Sequence, residues 1–256
     1  MLSSNKLLKS LKSQNIKFFC GVPDSVLKNF TNIIDADRSL KNIISTNEGS
    51  AIALGVGYNL SRKLVPCIYL QNSGLGNAIN PLISIANKKV YSVPMLLIIG
   101  WRGAIGQKDE PQHEVQGKIT LKILDLLKIK YIVLNKDSDL KKISTLLKIA
   151  KKNKEIVALI IKNKTLSKNT NLKKKKENYR NIDRKNFLNC LITQSKKNIR
   201  FISSTGFNSR ELFQIRIDKK QKKDCDFYLV GGMGHTSMVS LGISMTSKKD
   251  IVCVMF

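Results

Sequence analysis

Side chains able to move protons or hold an anion gather in a few short, glycine-containing segments of this chain. They are Gly21-Val22-Pro23-Asp24-Ser25, Asn47-Glu48-Gly49, QNSGLGN (71–77), GWRG (100–103), DEPQH (109–113), STGF (204–207) and GGMGH (231–235). Asp24 and Glu48 stand where helices should begin, and His113 is one of only two histidines, the other being His235. A carboxyl in the first turn of a helix that faces a crevice can share a proton with a ring nitrogen, or it can simply complement the helix dipole. Asp24 can likewise be an N-cap. A histidine, ordinarily titrating at about 6.5, suits proton delivery. No segment is a complete phosphate fingerprint: GVGYNLSRK lacks Walker spacing and GGMGH is not G-x-G-x-x-G. Cys20, Cys67, Cys190, Cys225 and Cys253 never stand in C-x-x-C spacing. That argues against a disulfide scaffold or a zinc site and for a reducing, cytoplasmic setting.

Such segments need elements that converge. Apolar, β-branched runs at 16–22, 41–46, 64–71, 94–100, 128–134 and 155–162 read as strands. Helical stretches lie between several of them, opening at Pro23-Asp24-Ser25, at Glu48, after Gly76 and near residue 138. This alternation implies a parallel sheet covered on both faces, with ligands at the carboxyl ends of its strands. Residues 163–185 are nearly devoid of apolar side chains and include Lys173–Lys176, which reads as a solvated linker. It separates a domain at 1–162 from a second α/β segment at 186–256. That segment has strands at 199–205, 226–232 and 250–256 and helices at 186–195, 208–216 and from about His235.

Composition narrows the possibilities. With 256 residues and 42% hydrophobic side chains, the chain can bury real cores, so wholesale disorder is excluded. The net charge of +27 invites a nucleic-acid reading, yet the cations are 37 Lys and only 8 Arg, and aromatics are 6%. Arg is the residue suited to bidentate phosphate and base contacts, and aromatics are the stacking platforms. Solvated lysine on helix faces is therefore favoured over a nucleic-acid footprint. No apolar run reaches the roughly 18–20 residues of a membrane span, and lysines interrupt the N-terminus too often for a signal peptide. Neither nucleic acid nor membrane is expected as a partner.

In their order along the chain, GVPDSVLKNF, NEGSAIALGVGY, YLQNSGLGNAINPL, LLIIGWRG, DEPQHEVQGKIT, STGFNSREL and GGMGHTSMVSLGI resemble the phosphonopyruvate decarboxylase family of thiamine-diphosphate enzymes, with sulfopyruvate decarboxylase as a close relative. The resemblance implies an α/β fold of two parallel-sheet domains, a complete pyrimidine-binding one and an incomplete diphosphate-binding one. It implies decarboxylation of 3-phosphonopyruvate to phosphonoacetaldehyde and CO2 in phosphonate biosynthesis, by a homodimer or higher homo-oligomer with cofactor at the subunit interface. By the same resemblance Glu48 hydrogen-bonds the aminopyrimidine ring and promotes loss of the thiazolium C2 proton. Met233 is the apolar wedge that bends the cofactor, and the Gly231 carbonyl accepts from its amino group. Thr205 and Gly206 meet the diphosphate at a helix N-terminus, with Gly234 close by. Asp24 and His113 move protons around the substrate, and Asn72, Ser73, Arg102 and Lys108 are candidates for holding that doubly anionic molecule.

One departure stands out. The family continues from the final strand into a Gly-Asp-Gly segment and an Asn that hold Mg2+, and neither occurs before Phe256. The expectation is an incomplete copy, weakly active or inactive alone, with no metal ligands of its own. Two alternatives are a sulfopyruvate decarboxylase and a non-catalytic partner subunit that lends Glu48 to an intact chain.

Overall fold

Strands that are aliphatic on both faces are satisfied only inside a sheet covered on both sides, and the first part of the chain builds such a sheet. In this computed structural model, which describes residues 1–167, 182–195, 198–224, 226–232 and 234–255, the chain divides into two compact units, 1–174 and 175–256. The first runs α1 (Ser4–Ser13), β1 (Phe18–Gly21), α2 (Lys28–Ala36), β2 (Lys41–Ile44), α3 (Glu48–Arg62), β3 (Cys67–Gln71) and α4 (Leu75–Pro81). It continues through β4 (Met95–Trp101), α5 (Pro111–Leu126), β5 (Lys130–Leu134), α6 (Lys141–Asn153) and β6 (Ile156–Lys162). Its six strands are all parallel, in the order β2-β1-β3-β4-β6-β5.

Every residue of β1, β3 and β4 is buried. Phe19, Tyr69, Ile98 and Leu159 point to one face, where Leu7, Leu11, Phe30 and Leu147 of α1, α2 and α6 cover them. Cys20, Leu70, Ile99 and Ile160 point to the other, against Ile52, Ala78 and Leu124 of α3, α4 and α5. The expected strands are all present, trimmed at their ends where the chain turns into loops. Two helices are additional. In α1 the spacing of Leu7, Leu8 and Leu11 buries one stripe, and the Ser3 hydroxyl caps its start by accepting from Lys6 N at 3.3 Å. The other, α5, begins at Pro111 with its fixed φ. The start of the expected linker is fastened to this unit: Leu166 is buried and pairs with Leu2. Residues 168–181 of that linker lie outside the described residues.

The second unit contains α7 (Arg184–Gln194), β7 (Ile199–Ser203), α8 (Phe207–Asp218), β8 (Phe227–Tyr228), α9 (Thr236–Ser244) and β9 (Asp250–Val254). Its parallel sheet has the order β8-β7-β9 over a small core of Leu188, Phe201, Leu212, Ile215 and Val254. The strand expected at 226–232 shortens to two residues, because β8 is an edge that pairs only with β7 and runs into Gly231-Gly232, where Gly232 has φ +67°. Asp226, at its start, is committed to a buried pair with Arg216 (Nε to Oδ2 2.7 Å) and accepts from Phe201 N at 3.1 Å. Cys20, Cys67, Cys190 and Cys253 are free thiols. Among the described residues no helix is long and apolar enough to cross a membrane.

Gly21 closes the contact between β1 and β3. A Cβ there would overlap the Tyr69 carbonyl oxygen and crowd its ring. Gly21→Ala should therefore lower unfolding free energy by about 1–3 kcal/mol, the usual scale for overpacking. The urea midpoint of fluorescence from Trp101, the single tryptophan and buried in β4, checks this.

Candidate active site

Sheet order decides which loops can meet. β2, β1, β3 and β4 are neighbours, and the chain passes from β2 across to β3 on the other flank of β1. The order therefore reverses between β1 and β3, and such a switch point leaves a crevice at the carboxyl ends of the strands. The loops after these four strands carry Asp24, Glu48, Asn72, Ser73 and Arg102.

Glu48 is the first residue of α3, behind an Asn47 cap whose side chain accepts from Ser50 N at 2.8 Å. Glu48 is only 5% exposed. Its Oε2 accepts from Asn77 Nδ2 at 2.9 Å, and Asn77 sits on α4, which packs against α3. Oε1 has no hydrogen-bond partner among the described residues. It lies against Gly74, where any Cβ would overlap the carboxylate. The outcome is a buried carboxylate oriented through one oxygen, with the other left to accept or share a proton.

Asp24 is 6% exposed. Its Oδ2 accepts from Val26 N (3.1 Å) and Leu27 N (3.2 Å), closing the turn before α2 in the manner of a cap, while α2 itself starts later with Leu27 as its cap residue. Oδ1 is buried with no partner. Gly100, the penultimate residue of β4, makes room for this carboxyl: a Cβ there would overlap Oδ2. Burial pushes the Asp24 pKa up to about 6, opposed by the backbone N–H donors and by the Arg102 charge.

Arg102 is gripped by Asp109. Nε donates to Asp109 Oδ2 at 2.8 Å and Nη2 donates to Oδ1, while Nη1 reaches Ser25 Oγ at 3.1 Å. Asp109 also accepts from Gly103 N and Glu110 N, both at 2.8 Å, and the Arg102 guanidinium holds its carboxyl well below the usual carboxylate range. Asn72, 1% exposed, ties β3 to β4 by accepting from Arg102 N (3.0 Å) and donating to Arg102 O (2.9 Å) and Thr120 Oγ1 (2.8 Å). Ser73 Oγ accepts from Gln71 Nε2 at 2.6 Å. His113 lies in the first turn of α5 with its Nδ1 buried and unpartnered. Burial and then Arg102 lower its pKa, against the opposing pull of Asp109 and Glu110. A cavity of about 800 Å³ opens beside Arg102, lined by Gln107, Lys108, Asp109, Glu114 and Lys118 among others. Lys108 is exposed and makes no ion pair among the described residues, whereas Glu48, Asp24 and His113 do not line this cavity.

In the second unit β7 ends at Ser203 and Thr205-Gly206 turn into α8. Gly206, at φ +78° and ψ −131°, holds a conformation that glycine adopts readily and other residues scarcely at all. No side chain caps α8 and no acidic residue occupies its first turn, so its leading N–H groups suit an anion. Gly231 is half-buried, and Gly234 has φ +85° just before α9. Met233 lies outside the described residues. Among the described residues no group of three or more His, Cys, Asp or Glu could hold a metal ion.

Sequence reasoning gave no role to Asn77, Asp109 or Thr120, and gave Ser25 only that of a possible helix cap. Asn77 and Thr120 act through contacts between elements distant in the chain. Asp109 was detectable as an acid seven residues after Arg102, across a loop with glycines at 103 and 106.

Residues 2–126 match a family model described as the thiamine pyrophosphate enzyme N-terminal TPP binding domain. The chain is 28% identical over 270 residues to phosphonopyruvate decarboxylase of Streptomyces viridochromogenes, covering 99% of this chain and 66% of that protein. It is 36% identical over 129 residues to sulfopyruvate decarboxylase subunit alpha of Methanocaldococcus jannaschii, covering 50% of this chain and 74% of that one. Among solved structures, benzoylformate decarboxylase from Polynucleobacter necessarius aligns over 80% of this chain and 39% of its own with a TM-score of 0.52 at 16% identity, a likeness of fold.

The raised Asp24 pKa has a direct consequence for stability. A carboxyl that titrates near 3.8 when unfolded and near 6 when folded binds more protons in the native state, so its contribution to stability falls as pH rises between those values. Asp24→Asn removes this dependence. The difference in unfolding free energy, variant minus wild type, should rise by about 3 kcal/mol from pH ~4 to pH ~7. Urea melts at both pH values measure it, and a flat difference contradicts the burial of the ionised group.

Proposed function

This chain belongs to the thiamine-diphosphate-dependent decarboxylase family, and from that premise we propose that it takes part in decarboxylating 3-phosphonopyruvate to phosphonoacetaldehyde and CO2, a step of phosphonate biosynthesis. The observation that carries the proposal is Glu48: a carboxylate 5% exposed, at the first turn of α3, with one oxygen oriented by Asn77 and the other unpartnered beside Gly74. That arrangement fits an aminopyrimidine ring, whose nitrogen can receive and share the carboxyl proton. Thiamine diphosphate, when bound, supplies the nucleophilic carbon that attacks the 2-oxo group and accepts the electron pair left by CO2.

The chain's own residues supply the rest. Glu48 would hold the ring nitrogen through Oε1, the oxygen that Asn77 leaves open. Asp24 titrates near 6, and burial together with Arg102 holds the His113 pKa below the ordinary imidazole value. Either can hold the proton that the carbon losing CO2 must gain. Arg102 is already paired with Asp109, so Lys108 and Lys118 are the cations beside the cavity that no ion pair among the described residues engages, and Lys108 is the one proposed to attract the phosphonate. In the second unit, Thr205 and Gly206 at the start of α8 are the residues proposed to meet the diphosphate, with Gly231, Met233 and Gly234 near the pyrimidine amino group. No Gly-Asp-Gly occurs in the sequence, and no residue of this chain is assigned to Mg2+.

Identity to the phosphonopyruvate enzymes spans both units, at 28% over 99% of the chain, which supports phosphonate over sulfonate. A sulfopyruvate decarboxylase of Methanosarcina acetivorans matches over a similar span at 20%. The chain's match covers 66% and 65% of the two Streptomyces enzymes, so their complete activity and assembly are carried to this chain only as proposals. An oligomer belongs to the same proposal.

Calorimetric titration with thiamine diphosphate, with and without Mg2+, tests the assignment. The wild-type chain should bind the cofactor, and Glu48→Ala should weaken binding at least tenfold, a loss in the range of a charge-assisted hydrogen bond. Equal affinity of the two proteins rejects the role of Glu48. CO2 release from 3-phosphonopyruvate and sulfopyruvate, compared side by side, decides the substrate.

A further inference from the structure

Two segments carry the proton-transfer groups Asp24 and His113, and one ion pair on a third segment ties them together. Asp109 lies only seven residues beyond Arg102, yet its carboxylate turns back to take the guanidinium edge-on, and its side chain is 5% exposed. Gly103 and Gly106, at φ +65° and +81°, let the loop reverse in that short span. The same carboxylate accepts from Gly103 N, next to the end of β4, and from Glu110 N, the cap residue of α5. On its far side the guanidinium donates to Ser25 Oγ, the neighbour of Asp24. A Cβ on Gly103 would overlap the His113 carbonyl oxygen, so the loop and the first turn of α5 are packed backbone to backbone. The turn after β1, the loop after β4 and the start of α5 thus meet at one guanidinium–carboxylate pair.

We propose that Asp109 is a positioning residue: by clamping Arg102 it fixes one cation that both Asp24 and His113 feel, and so sets how readily His113 takes up its proton. The proposal rests on the assignment of Asp24 and His113 as the proton-carrying groups. Each presents one buried atom, Oδ1 and Nδ1, with no hydrogen-bond partner. The charges acting on His113 are Arg102, Asp109 and Glu110, and the charge acting on Asp24 is Arg102. With the pair intact, its two charges oppose each other at His113, while Asp24 feels the Arg102 end. With one partner neutralised, a full charge of known sign is left in a partly dry setting, where it acts strongly.

The chain has two histidines, so their ring protons can be followed by NMR as pH is varied, with exposed His235 in the other unit as an internal control. Thiamine diphosphate is left out, so the clamp can stand or fall independently of cofactor binding. In Asp109→Asn the His113 midpoint should move to lower pH, because Arg102 is no longer balanced. In Arg102→Gln it should move to higher pH, and this variant leaves the two backbone bonds of Asp109 in place should the first fail to fold. The double variant should return the midpoint close to wild type. His235 should not move in any of them. Single variants that shift His113 in the same direction, as simple loosening of the loop would produce, or leave it unmoved, overturn the proposal.

Discussion

Two carboxyl groups, Glu48 and Asp24, are taken out of water at one edge of a parallel sheet, and each is admitted by a glycine. Desolvating a carboxylate is costly unless hydrogen bonds or charge compensate it, and neither group is compensated fully. Glu48 has Asn77 on one oxygen and none on the other; Asp24 has two backbone N–H donors on Oδ2 and none on Oδ1. Gly74 and Gly100 make this burial sterically possible, since a methyl group at either position would occupy the carboxyl's place. The remaining features of the first unit follow from holding these two groups there. The order β2-β1-β3-β4 aligns their loops, Asn72 stitches β3 to β4, and the fully buried central strands keep the edge from shifting.

Much of this scaffold was legible in the sequence because buried parallel strands are written as uninterrupted aliphatic runs. YLQ after PCI and MLLIIGW are strands under any period, and turn residues close behind them place their carboxyl ends. The helices were less legible where their amphipathic stripe is weak. In α5, which includes PQHEVQGKIT, only Gly117, Thr120 and Leu124 are buried, and two of these are not apolar. Its packing is instead polar and close: Trp101 Nε1 donates to Gly117 O at 2.9 Å, and a Cβ on Gly117 would overlap Gly103 O. Such contacts leave no periodic trace.

The site was legible in outline and not in wiring. Loop position alone put Asp24, Glu48, Asn72 and Arg102 at one edge, since strand ends in a parallel sheet share a side. What those residues do to each other depends on partners from elsewhere in the chain. Asn72 looks like a ligand-facing amide and spends its donors and acceptor on Arg102 and Thr120. Arg102 looks like an anion receptor and is already partly saturated by Asp109 and Ser25. Both facts are tertiary.

That saturation separates two kinds of charge. A surplus of +27 creates an attractive field for any anion at long range, screened over about 8–10 Å by physiological salt. Near the site the balance differs: Arg102, Lys108 and Lys118 face Asp109, Glu110 and Glu114 around the same cavity. Recognition of a small dianion there cannot come from bulk lysine. The cations there without an ion pair among the described residues are Lys108, on a loop that Asp109 fastens at both ends, and Lys118 on α5. A lysine on a fastened loop differs from the surface excess in having a defined place, whereas the excess acts only as a long-range field.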